Sequence, residues 1–176
     1  MNRTLEFAGT VRHDGRGGLV DDLATLDQLA AWTDVRPVSE ELRLRVVELR
    51  RAVRSLLAHA VRVGERLDAP HLMPLGSALD LVNDTAARVP RAARLEWGEP
   101  VRLRYDDRAE APERLLADLA TAAIEFLAGD ERENLRACPA PRCIRYFVKA
   151  HPQQQWCKPS CGNRARVSRH YRRAHD

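Results

Sequence analysis

Four cysteines carry the most specific chemistry in this chain of 176 residues, and all of them fall between Cys138 and Cys161. Cys138 and Cys143 enclose Pro-Ala-Pro-Arg, Cys157 and Cys161 enclose Lys-Pro-Ser, and thirteen residues separate the pairs. Two short thiolate loops brought together by an intervening strand or hairpin supply the soft tetrahedron that zinc prefers. A proline in each loop stiffens the turn, so less chain entropy is lost when metal binds. The spacing predicts one structural Zn2+ per chain on Cys138, Cys143, Cys157 and Cys161. A disulfide or redox pair, or a mixed site using His151 or His170, are the alternatives. The N-terminus has no apolar run of signal-peptide length and no segment approaches a membrane span, which points to a soluble cytoplasmic protein. In a reducing compartment clustered cysteines read as metal ligands before disulfides. Four protein ligands leave no position for a metal-bound water, so hydrolytic zinc chemistry is disfavoured.

Charge divides the chain at the same place. From Cys138 onward there are nine basic residues and one acid, Asp176, whereas residues 1–137 hold 20 basic and 24 acidic residues. A short cationic module on an acidic body suggests a polyanionic partner. A general preference for arginine, with only two lysines in the chain, explains arginine over lysine but not the near absence of acids in the tail.

After the last cysteine, a helix over Asn163 to His175 puts Val167, His170, Tyr171 and Ala174 on one face, expected to pack. Arg166, Arg169, Arg172 and Arg173 fall on the opposing arc. Forked guanidinium donors on one helical face suit phosphates and guanine edges in a DNA groove. Arg164 flanks the strip, with bracing of the zinc loop as its alternative role. Ile144, Tyr146, Phe147, Val148 and Trp156 are expected to form a small core around the metal, too small to fold without it.

These residues need a base to stand on, and residues 1–130 read as a helical domain carrying a small β-hairpin, with residues 131–176 as the finger. Between Ser39 and Arg62 the residues Leu42, Val46, Leu49, Val53, Leu56 and Ala60 recur at steps of four and three, one buried stripe on a helix capped by Ser39. Further helices are predicted over Asp21 to Trp32, Leu72 to Arg88, and Pro112 to Leu127 before Gly129. The alternation Val101, Leu103, Tyr105 across a Gly98 to Pro100 turn predicts a two-stranded hairpin. The fold class is thus mainly α, closed by a treble-clef or ribbon-like four-cysteine finger that ends in a basic helix. The body offers no phosphate loop or His-Glu-x-x-His pair, and His13, His59 and His71 are scattered. Asp21 and Asp22 read as acids of a helix start, Asp106 and Asp107 as turn residues, and Asn83 and Asp84 as an exposed polar face. No catalytic residue is assigned, and an enzyme housed in the body is the least favoured reading.

The stretch WCKPSCGNRARVSRHYRR, Trp156 to Arg173, closely resembles the CGNR-type zinc finger, with Cys161, Gly162, Asn163 and Arg164 as the eponymous run. CPAPRC matches that family's first cysteine pair, and Phe147 falls on its usual aromatic. Lys149 departs from it, standing where many relatives have an acid. Upstream, RTLEFAGT and the helical body look like the alanine-rich domain that accompanies this finger in a family of stress-induced bacterial transcription regulators. The resemblance implies zinc on the four cysteines and a regulator that binds DNA. Two functional readings follow. In the first, the finger grips duplex DNA through Arg164, Arg166, Arg169, Arg172 and Arg173, while the body avoids nucleic acid and forms a homodimer or senses a small-molecule effector. In the second, zinc only folds the tail, and the arginines meet an acidic protein or a folded RNA as an adaptor. One finger alone binds DNA weakly, so a dimer presenting two is the economical route to specificity.

Overall fold

The computed structural model describes residues 2–62, 64, 66 and 68–173, the side chain of Arg172 excepted. Asn2 accepts from the amides of Thr4 and Leu5 and starts α1, Arg3–Ala8. Next come β1, Val11–His13, and β2, Leu19–Asp21, paired antiparallel with Arg12 opposite Val20. Thr25 and Gln28 form a reciprocal capping box, each side chain accepting from the other's amide, and so fix the start of α2, Leu26–Trp32. Helix α3, Glu40–Ala60, begins where Ser39 accepts from the Leu42 amide at 3.1 Å. After a 3₁₀ turn, Ala69–His71, come α4, Leu75–Ala87, β3, Ala92–Glu96, β4, Arg102–Asp106, and α5, Ala111–Ala128. A second 3₁₀ turn, Asp130–Asn134, leads to β5, Leu135–Ala137, β6, Tyr146–Val148, and α6, Pro159–Arg173.

Helix α3 is the centre of the body, packed against α4 and α5, with α1 lying across α3 and α5. The expected stripe is the core: Leu42, Val46, Leu49, Val53 and Leu56 are buried, with Leu57 between them. Leu116, Leu119, Ala120 and Ala123 of α5 and Ala78 and Val82 of α4 meet it. Phe7 joins from α1, its ring 5.5 Å from that of Trp32 and near-parallel to it.

One expectation about the body is corrected. The helix predicted over Asp21 to Trp32 begins only at Leu26, because Leu19–Asp21 pairs with β1. Asp21 therefore starts no helix; it bonds Arg50, while Asp22 bonds Arg12. The hairpin expected across Gly98 to Pro100 forms, with Leu95 opposite Leu103 and Ala93 opposite Tyr105. It covers nothing, however. Leu95, Trp97, Val101, Leu103 and Tyr105 are all exposed, Trp97 by 87%.

The expected miniature core around the metal is also divided. Phe147 and Trp156 pack with the cysteines, whereas Tyr146 and Leu135 are part of the main core and Val148 lies against it. The short β5–β6 hairpin alternates its side chains, so one face serves the body and the other the finger.

Candidate metal centre and basic helix

The first cysteine loop is closed by its own backbone. Cys138 donates to the Arg145 carbonyl and Cys143 to that of Ala140, both at 2.9 Å, and Arg142 turns the chain in the left-handed region at φ 61°. The second pair lies at the head of α6, where Pro159 occupies the first turn and needs no amide partner. Cys161, one turn in, is 1% exposed.

The four sulfurs lie within 4.8 Å of one another. Cys143–Cys157, Cys157–Cys161 and Cys161–Cys143 are 3.8, 3.5 and 3.8 Å apart. A tetrahedron with zinc–sulfur bonds of about 2.3 Å has edges of about 3.8 Å, so the spacing fits zinc and is far too long for a disulfide. His151 and His170 do not join this cluster. Proton chemistry points the same way. Cys143 is driven strongly toward thiolate by the Cys138 and Cys157 thiols that bond to it, whereas Cys138 and Cys143 push Cys157 strongly up and burial pushes Cys161 up to about 11. Without a cation the quartet keeps protons; a dication at its centre removes that obstacle.

The residues around the quartet explain the CGNR run. A side chain at Gly162 would put its Cβ 3.0 Å from Trp156 Cδ1, so glycine lets the ring pack closely on the helix there. Asn163 accepts from Arg166, and Arg164 places Nη2 3.5 Å from Cys161 Sγ. Lys149, the departure from the pattern, donates to the Pro152 carbonyl.

Beyond Ala165 most side chains of the helix are exposed. Val167 and Tyr171, expected on a packed face, are 69% and 63% exposed, and His170 is exposed too. Their partner on that face, Ala174, and the side chain of Arg172 lie outside the described residues. The helix is anchored by Cys161 and Ala165 at its start, and these are its buried apolar side chains among the described residues. Arg166, Arg169 and Arg173 are exposed and none forms an ion pair among the described residues. The body differs, with Arg12, Arg43, Arg45, Arg50, Arg54, Arg91, Arg94, Arg104 and Arg114 all held by acids.

Sequence reasoning missed what joins finger to body. Arg54 of α3 is 3% exposed and donates to Asp68, to the Ala8 carbonyl at 2.5 Å and to the Ile144 carbonyl of the finger at 2.8 Å. Arg66 Nε lies 3.4 Å from Asp68, its Nη2 donates to the Cys143 carbonyl, and both guanidiniums lie over the Tyr146 ring. A signal existed: at 100° per residue Arg50 falls just past Leu57, at the edge of the apolar arc, and Arg54 a little further round.

Residues 2–130 match the protein family ABATE, described as a putative stress-induced transcription regulator. The chain belongs to that family. Residues 134–174 match the CGNR zinc finger, so the ABATE chain carries its resemblance to both parts. No curated protein matches it. Both descriptions are of a regulator and a zinc finger rather than an enzyme, and no helix among the described residues is long and apolar enough to cross a membrane.

Proposed function

We propose that this ABATE protein is a cytoplasmic DNA-binding regulator whose zinc sits on Cys138, Cys143, Cys157 and Cys161 and holds α6 out as the DNA-reading element. Residues 1–130 act as the regulatory and dimerising part and residues 131–176 as the finger. The observation that carries this reading is the line Arg166, Arg169, Arg173, three exposed guanidiniums that form no ion pair among the described residues, on a helix that starts at the quartet. At a rise of 1.5 Å per residue the line spans about 10 Å, close to the major-groove width of about 12 Å. Arg172 extends it in sequence. Arg164 braces the Cys161 thiolate from 3.5 Å, which leaves it a lesser share of DNA contact.

Two-fold symmetry comes from the β3–β4 hairpin in this reading. Ala93, Leu95, Trp97, Val101, Leu103 and Tyr105 share one exposed face, while Arg94, Glu96, Arg104 and Asp106 pair among themselves on the other. A bare apolar face backed by charges that are mostly paired suits a second copy of itself better than a nucleic acid.

The test replaces Arg166, Arg169 and Arg173 with alanine in the zinc-loaded chain and measures duplex DNA binding against salt. Zinc content and helicity stay at the parent values, affinity falls, and the slope of log affinity against log salt shrinks by about one unit per phosphate contact removed. Unchanged affinity at near-physiological salt refutes the DNA reading and leaves the adaptor that meets an acidic protein or RNA.

A further inference from the structure

A cavity of about 470 Å³ lies in the body between the β1–β2 hairpin, α3 and the first 3₁₀ turn. Its apolar wall is wholly branched and aliphatic: Val11, Leu19, Val47 and Leu72, with no aromatic ring. Its polar wall holds Arg50, Arg51 and Arg54 of α3, with Asp21, Asp68 and His71. The charges do not cancel. Asp21 is taken by Arg50, Asp68 is shared between Arg54 and Arg66, and Arg51 meets no acid among the described residues, its Nε donating only to the His71 carbonyl at 3.1 Å. Arg50 is 3% exposed, yet its Nε has no acceptor. A pocket of this size, mostly apolar with a few convergent donors, is the usual form of a small-molecule site.

We propose that this cavity binds an aliphatic monocarboxylate, its tail against Val11, Leu19, Val47 and Leu72 and its carboxylate on the Arg51 guanidinium at the His71 side. One surplus guanidinium matches one negative charge, and a forked donor suits a carboxylate. The position suits an effector, because Arg54 lines the cavity and also holds the Ile144 carbonyl of the finger. That use rests on the regulator reading; the binding itself does not.

The experiment titrates octanoate, and octanamide as its neutral counterpart, into the full zinc-loaded chain without DNA, following backbone amide resonances. Octanoate should shift residues 19–21, 47–54 and 71–72 saturably. Octanamide, and octanoate with Arg51→Gln, should bind about tenfold more weakly, the worth of one charge-assisted hydrogen bond. Val47→Phe fills the cavity and should abolish the shifts with zinc content unchanged. Equal binding of octanamide, or octanoate shifts that never saturate or that map to β3–β4, would overturn the proposal. DNA plays no part in this readout, so loss of the regulator reading leaves it standing, and its own failure leaves the DNA test intact.

Discussion

Arg54→Met removes the guanidinium that ties three segments together while keeping most of its aliphatic bulk. Arg54 and Asp68 have side chains only 4% and 3% exposed, so solvent cannot replace what is lost. Breaking a buried ion pair by deleting one partner costs about 3–5 kcal/mol, because a charge is left stranded. Two terms adjust that figure in opposite directions. Arg66, 3.4 Å from Asp68, remains and offsets part of it, while the orphaned Ala8 and Ile144 carbonyls each add up to about 1–3 kcal/mol. These contributions overlap, and about 4 kcal/mol is the expected loss, a large fraction of the 5–15 kcal/mol typical of a domain. Adding Asp68→Asn removes the stranded charge and should restore about 2 kcal/mol, a coupling read by double-mutant cycle. Urea unfolding of the zinc-loaded chain, followed by circular dichroism, measures both. Zinc release to a chelator should also be faster in Arg54→Met, since Ile144 directly follows the ligand Cys143. A loss under about 1 kcal/mol, or an Asp68→Asn change that adds to the damage, refutes the argument from burial.

The zinc claim predicts that Cys157→Ser and chelation act alike: α6 loses helicity and the Trp156 environment changes, while the helical body stays folded. Unchanged dichroism and fluorescence after verified zinc loss would contradict it. The Asp21–Arg50 pair predicts a pH dependence. Burial works against ionisation of Asp21, but the hydrogen bond from Arg50 and the Leu23 amide hold its carboxyl below the usual value of 3.8. The pair therefore stabilises the fold above that value, and its contribution is lost as pH falls through the depressed one. Asp21→Asn should flatten this acid limb of the stability curve and leave neutral-pH zinc content alone. The hairpin predicts that Leu103→Glu turns a dimer into a monomer in sedimentation, with Trp97 emission shifting red; a parent chain that is monomeric at micromolar concentration rejects the proposed symmetry.

The sequence by itself determined the metal set and the scaffold. Cysteine spacing is a local property, and the loops that close it are built from prolines and backbone bonds a few residues apart, so Cys138, Cys143, Cys157 and Cys161 were legible together with their metal. The period of Leu42, Val46, Leu49, Val53 and Leu56 was equally plain, because an amphipathic helix writes its buried face into its own spacing. Burial against distant partners was not legible in that way. Arg54 reaches a carbonyl 90 positions away, and Tyr146 leaves the finger for the body's core, because a three-residue strand has two faces and only the packed structure assigns them. The helix after Cys161 shows the converse. Its pattern offered Val167 and Tyr171 as a packing face, yet a helix buries a face only where another element covers it, and both side chains are mostly exposed. The sequence supplied the line of arginines; the tertiary structure decided that both the arginines and their apolar neighbours stand in solvent.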